Sequence, residues 1–505
     1  MSKEDNEMIF SGRTFNAFPF IAALIVTACA GALPSAEGAR TQPVLAGSQL
    51  DRLSDISIDA LRNRQYGQGE LAMIAPIDRT CTSQEHSGER PRQATRLMAR
   101  YQSEGQSLYA RIDVPFEPPP PQGYPVMVFA HGWVGSENAP DWHFGCTLES
   151  SYGDVYGNVI NAWAEAGYVV LVPGYRGHGT VKGVPAEGHS DMLAWDNGAY
   201  LMPSFYAVDV LNLIAASQSV ESINVLDEHG APRTIRLDPS RYFINGHSQG
   251  GDVTLTVLAA TGEGAQSEIE FAGGSIWAGN IAARFEQLAT FDAMSTSPEA
   301  FLAGDGTWTG TAIGSDGTAN ANFIFGFPPD WIGSPHPEDW TWQSETFSRP
   351  RIEGALRAKA IDMYETLNEQ VGEFENLSWE VDTTDAGQAF VSHDPRLIEI
   401  MSRIGGADAA EFLTEPLHLH FSDRDYYSLP IWNFDLCERA NAAGGACQTF
   451  EYFGNTHSLG VSEHDWFSPP GSQAGHAAFI NHDLCRFNAA PQSEKAVHCN
   501  VQDNR

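Results

Sequence analysis

The chain predicts an α/β fold: a mostly parallel central sheet with helices on both faces and a large, partly helical cap insertion. Three observations carry that expectation. Nearly continuous apolar runs at 124–130, 168–172 and 242–244 alternate with helical segments at 159–166, at 205–216 and from the turn after Asn245 toward Leu258. Strands buried on both faces read as unbroken apolar runs, and strands alternating with helices at these lengths make right-handed crossovers onto a parallel sheet. The alternation then fails between about 280 and 410 and resumes with short strands at 416–421 and 448–453.

In order along the chain, 29–90 is mixed and polar, with one possible helix at 58–64, and reads as a tether or N-terminal extension. Residues 96–100 and 107–114 alternate apolar and polar residues around Ser103-Glu104-Gly105-Gln106, the period-two signature of a hairpin that opens the sheet. Pro118 to Pro121 stiffen the connection to the first buried strand. Gly167 closes the helix before the second strand as a C-cap, and 271–278 continues the sheet after the third helix. Within the insertion, Ile352, Leu356, Met363 and Leu367 share one helical face, and Trp308, Trp331, Trp340 and Trp342 are scattered. Asp305-Gly306 and Asp316-Gly317 read as turns rather than calcium loops. The expected organisation is 1–28 signal peptide, 29–90 extension, 91–279 first part of the core, 280–410 cap insertion and 411–505 second part of the core.

Composition excludes several classes. The 505 residues are 42% hydrophobic, which rules out a disordered or fibrous chain. A net charge of −35 without a basic stripe excludes nucleic acid as a partner, since phosphates would be repelled. Residues 17–28 form an apolar stretch too short to span a bilayer and read as a signal-peptide core. Its end, Val26-Thr27-Ala28-Cys29, resembles the bacterial lipoprotein signal, which implies lipidation of Cys29 and a membrane anchor. Ordinary cleavage and secretion fit the same stretch. Without Cys29, six cysteines remain: Cys81, Cys146, Cys437, Cys447, Cys485 and Cys499. An oxidising compartment allows three disulfides in fifteen connectivities. Order along the chain favours the close pairs Cys437 with Cys447 and Cys485 with Cys499, leaving Cys81 with Cys146. The spacings match no zinc module, and neither a metal nor another cofactor is implied.

The chemistry centres on Gly246-His247-Ser248-Gln249-Gly250, set between an apolar strand and a small, apolar helix. That pattern is a nucleophile elbow, a sharp turn that lifts the Ser248 hydroxyl above the sheet and leaves the Gln249 N–H free for an oxyanion. A serine hydroxyl is a poor nucleophile at neutral pH, so it needs a histidine to take its proton and an acid to orient that histidine. The acid belongs at the carboxyl end of the 416–421 strand, where Asp425 is preferred to Asp423. The base is His457, on the loop after the last strand, ahead of the rivals His476, His464 and His482. Ser248, Asp425 and His457 then occur in one recognised chain order. Trp133, after the first buried strand, supplies the second oxyanion donor beside Gln249. His131 reads as a structural anchor for that loop, and His418 and His420 as packing, because no third ligand stands near them.

These residues together make the chain resemble the α/β-hydrolases, nearest to the prolyl-oligopeptidase-like and secreted esterase branches. The resemblance runs over the hairpin at 96–114, His131-Gly132-Trp133, Gly174-Tyr175-Arg176-Gly177-His178-Gly179, and Asp238-Pro239-Ser240-Arg241 leading into Gly246 to Gly251, completed by Asp425 and His457. The resemblance implies that Gly174 to Gly179 shapes the substrate entrance. Two departures stand out: Phe421 occupies a position where glycine is usual, and Trp133 replaces the further glycines of lipase-type oxyanion loops. The expected activity is hydrolysis of carboxylic esters, small or polymeric, through an acyl-enzyme on Ser248. The alternatives are a peptidase of prolyl-oligopeptidase-like type, whose relatives usually carry a propeller for which the sequence before Arg96 is too short, and an inactive surface binding module on the same scaffold. The expected location is exported, as a lipoprotein or a secreted protein.

Overall fold

The computed structural model describes residues 53–67, 69–76, 94–133, 151–181, 184–188, 201–220, 222–227, 229, 231–284, 361, 364, 377–383, 389–422, 428, 430–452, 457, 459 and 475–487. Nine strands form its main sheet: β1 (Ala72–Pro76), β2 (Ala94–Ser103), β3 (Gln106–Pro115), β4 (Tyr124–Ala130), β5 (Val169–Pro173), β6 (Leu237–His247), β7 (Gly273–Trp277), β8 (Pro416–Ser422) and β9 (Ala446–Tyr452), in the order β1-β2-β3-β5-β4-β6-β7-β8-β9. The pairs from β5 to β9 are all parallel, whereas β1, β2 and β3 form an antiparallel edge joined to β5. The hairpin between β2 and β3 turns through Glu104 and Gly105, both at positive φ (50° and 79°), as a two-residue loop matching strand twist requires.

Side chains alternate between the two faces of the sheet. Val126, Val128, Val169, Leu171, Tyr242 and Ile244 pack with α3 (Met202–Gln218) and α4 (Gln249–Thr261). Met127, Phe129, Val170, Val172 and Phe243 pack with α2 (Ser151–Glu165) and α7 (Gly475–Phe487). Every residue of α4 is buried, so the helix that follows the elbow is fixed along its whole length. The short helices α1 (Ile58–Arg62) and α5 (Pro395–Met401) and the longer α6 (Pro430–Ala442) also pack on this core.

The structure differs from the sequence expectation in two regions. The segment read as a tether is partly integral to the core: Leu53, Ile56, Ile58 and Leu61 are buried, and β1 adds an edge strand. Arg62 anchors this segment by donating to Ala259 O (2.7 Å), Gly262 O and Glu263 O at the C-terminal end of α4, with its guanidinium over the Phe412 ring. A cation there meets the carbonyls and the negative end of the helix dipole, which polar composition does not reveal. The end of the expected insertion also belongs to the core, through Leu397, Met401, Ile404 and Ala407. The helical face through Ile352 to Leu367, the four tryptophans and the two Asp-Gly pairs lie outside the described residues. So do Cys29, Cys81, Cys146 and Cys499. Cys437 and Cys447 stand at disulfide distance, with their Cα atoms 5.3 Å apart.

Candidate active site

Ser248 sits between β6 and α4 with φ 55° and ψ −125°, a backbone conformation that a residue with a Cβ adopts only when its surroundings enforce it. The surroundings are close backbone. A Cβ on Gly246 would collide with the Gly250 carbonyl, and one on Gly250 would collide with the Ala130 carbonyl of β4. Hydrogen bonds complete the clamp: Ser248 N–H donates to Ala278 O (3.1 Å), while Ser248 O accepts from Gly251 N–H (2.8 Å) and Asn280 N–H (2.9 Å). The five-residue pattern is therefore a steric requirement of a helix start pressed against its neighbouring strands.

His457 Nε2 lies 2.8 Å from Ser248 Oγ, within reach for proton transfer. The structure thus brings together two residues 209 positions apart. Asp423 and Asp425 lie outside the described residues. The strand leading to them, β8, ends at Ser422, which pairs with Tyr452 at the end of β9, the strand that leads to His457. Gln249 is the first residue of α4, where its N–H has no intrahelical acceptor. Trp133 is 48% exposed beside the site, and its N–H makes no hydrogen bond among the described residues. The preceding Gly132 N–H is held by Tyr156 Oη at 3.0 Å. A Cβ on Gly132 would stand 2.6 Å from that oxygen and 3.0 Å from Ser248 Cβ, so any larger residue there would displace the Tyr156 hydroxyl.

The His247 side chain is buried beside the elbow. Its ring stacks on Trp277 (3.9 Å between centroids), Nδ1 lies 2.6 Å from Tyr156 Oη, and Nε2 lies 3.0 Å from His457 O. Burial first, then the neighbouring His457, holds its pKa well below the usual histidine value, so it is neutral. Burial does the same to His131, which stacks on Tyr175 (4.1 Å) while Tyr175 Oη donates to its carbonyl. That is the anchoring arrangement anticipated for His131.

The expectation that no third group stands near His418 and His420 is corrected by Asp483 of α7. Its Oδ1 accepts from His418 Nδ1 (2.8 Å) and His420 Nε2 (2.9 Å), and Ser275 Oγ donates to Oδ2. His420 Nδ1 accepts from Tyr452 Oη at 2.9 Å. Despite full burial, contacts with both histidines hold the Asp483 carboxyl down to about 2, and burial lowers the pKa of His420. Among the described residues this is the donor set that could take a metal ion. These atoms lie within 4.8 Å of one another, with Asp483 at hydrogen-bond distance from both histidines. The cluster therefore works as a hydrogen-bonded clamp joining β7, β8, β9 and α7. The sequence shows two histidines on one strand face, but no local pattern links them to an aspartate 63 residues away.

The sheet order, its β4/β5 exchange and the strand–Ser248–helix elbow define an α/β-hydrolase fold. Solved structures similar to the chain include acylaminoacyl peptidase from Pyrococcus horikoshii (15% identity, TM-score 0.38, covering 78% of this chain and 40% of that one). Others are a puromycin-hydrolyzing peptidase from Mycobacterium tuberculosis (14%, 0.42, 80% and 40%) and Est1E from Butyrivibrio proteoclasticus with ferulic acid bound (13%, 0.36, 77% and 97%). The chain spans about two fifths of the length of the first structure. No family model matches the chain, and the comparison with curated proteins gives no match.

Proposed function

We propose that the chain is a serine hydrolase that cleaves carboxylic esters through an acyl-enzyme on Ser248. The observation that carries this reading is the 2.8 Å approach of His457 Nε2 to a hydroxyl held on strained backbone at the head of a helix. In the first step Ser248 Oγ attacks the ester carbonyl and His457 takes its proton. The negative oxygen forms where the Gln249 and Trp133 N–H groups stand ready as donors. His457 then protonates the leaving alcohol, and a water activated by the same histidine releases the acid. Asp425 fills the remaining role, orienting His457.

An ester fits this set of parts because an alcohol leaves readily once protonated, and the half-exposed Trp133 offers an apolar wall to an acyl or aryl group. Lipidation at Cys29 after export belongs to the same reading, on the strength of Val26-Thr27-Ala28-Cys29 alone. The test is a panel of p-nitrophenyl esters of rising acyl length beside aminoacyl-anilides, with wild type and Ser248→Ala. We expect ester turnover that falls by about ten-thousand-fold or more in Ser248→Ala. Anilide turnover without ester turnover would replace the reading by a peptidase. Undiminished turnover in Ser248→Ala would remove Ser248 as nucleophile.

A further inference from the structure

We infer that Tyr156 and His247 form a positioning relay that ties the oxyanion loop to the backbone of His457; the inference rests on the serine-hydrolase reading of that site. Three hydrogen bonds make the relay: Gly132 N–H to Tyr156 Oη (3.0 Å), Tyr156 Oη to His247 Nδ1 (2.6 Å), and His247 Nε2 to His457 O (3.0 Å). The direction of each bond follows from chemistry. A carbonyl oxygen only accepts, so His247 Nε2 carries the hydrogen. The neutral ring then has a bare Nδ1, to which the Tyr156 hydroxyl must donate, leaving that oxygen's lone pairs to accept from Gly132.

Each link is held independently. Tyr156 is 1% exposed and meets Phe129 edge-on, and His247, 4% exposed, lies against Trp277, which stacks in turn on Phe479 of α7. With both rings fixed, their polar atoms act as a rigid strut between the loop after β4 and the loop after β9. At one end the strut engages the Gly132 N–H, so Trp133 offers the next N–H along the loop. At the other it holds the main chain of His457, whose ring must stay within reach of Ser248 Oγ. His247, the variable second residue of the elbow pattern, thus carries the coupling between two loops that meet nowhere in the sequence.

The relay acts through position and should therefore move kcat rather than KM. A shift of about 1 Å in a reacting group costs on the order of a hundred-fold. Tyr156→Phe, which keeps the ring and removes only the hydroxyl, should lower kcat on a p-nitrophenyl ester by about 10- to 100-fold with KM within about two-fold. His247→Leu should lose at least as much, and His247→Gln, whose side-chain N–H reaches toward His457 O, should regain part of it. The double variant Tyr156→Phe/His247→Leu should be no worse than His247→Leu alone, because both act through one chain of bonds. Tyr168→Phe removes another buried hydroxyl from the same face and should leave kcat unchanged, separating positioning from general destabilisation. A Tyr156→Phe protein that melts cooperatively and turns over within about two-fold of wild type overturns the relay alone. Labelling by a fluorophosphonate distinguishes the deeper failure: if wild type does not react, the serine-hydrolase reading falls and the relay with it.

Discussion

The two faces of the sheet bury charge in different ways. Against α3 and α4 the buried acids are paired with arginine. Arg176 holds Asp209 through two side-chain bonds and its own backbone N–H, and Arg284 meets Asp252 at 2.6 Å. Against α2 and α7 the buried polar groups are histidines among aromatic rings: His247 on Trp277, and His418 and His420 around Asp483 beside Phe450, Phe479 and Phe487. An arginine keeps its charge at any working pH, whereas a buried histidine is stable only while neutral. The arginine face is thus a fixed scaffold beneath the helix that starts at Ser248. The histidine face supports the strand ends that lead to His457 and to residues 423–427, and it responds to pH.

The contrast is broken most severely on the arginine face. Asp209→Asn leaves the fully buried Arg176 guanidinium without its counter-charge and should cost about 3 to 5 kcal/mol of stability, read from the denaturant midpoint. On the histidine face, Asp483→Asn removes a charged acceptor from His418, His420 and Ser275 and should cost about 2 to 3 kcal/mol. A cost near zero there would mean the clamp contributes nothing.

The smallest effect is a pH response. His247 and His420 have folded pKa values below the ordinary 6.5, so as pH falls the unfolded chain takes up their protons first. Their contribution is complete above about 6.5 and is lost as pH drops below it. Between pH 7.5 and 6.0 these two and His131, which burial shifts the same way, should together remove about 2 to 2.5 kcal/mol, measured by denaturant unfolding at both pH values, and a His247→Gln/His420→Gln variant should lose most of that dependence. Asp483 behaves likewise in a lower window: its contribution is present above about 4 and lost as pH falls through about 2. An unchanged pH dependence in the His247→Gln/His420→Gln variant would show that the histidine face does not differ from the arginine face in this respect.

Much of the scaffold was legible because its signals are local. The apolar runs marked β4, β5 and β6, alternation and the Glu104-Gly105 turn marked the β2–β3 hairpin, and the five residues around Ser248 marked the elbow. The helices α6 and α7 were not anticipated, nor was the packing of 53–62 against α4. The partners of α7 and of 53–62 lie about 200 or more residues away, whereas α6 packs beside the neighbouring strands β8 and β9 but carries no clear amphipathic pattern of its own. Tyr156 illustrates the same limit within the site. Nothing near it distinguishes it from an ordinary core tyrosine, and its role exists only where Gly132 and His247 converge on its hydroxyl.

The sequence by itself marked the strands and helices from β2 to α4, the elbow pattern around Ser248, and the order in which Ser248, the candidate acid Asp425 and His457 occur along the chain. Those follow from hydrophobic periodicity and local turn patterns, which act between neighbours in the chain, whereas the crowding of Gly250 against Ala130 of β4 is tertiary. Only the tertiary structure decided that His457 reaches Ser248, that His247 hydrogen-bonds the His457 backbone, and that Asp483 joins His418 and His420. Such pairings depend on which distant segments share a face of the sheet, and hydrogen bonds across that face leave no periodic trace in the chain.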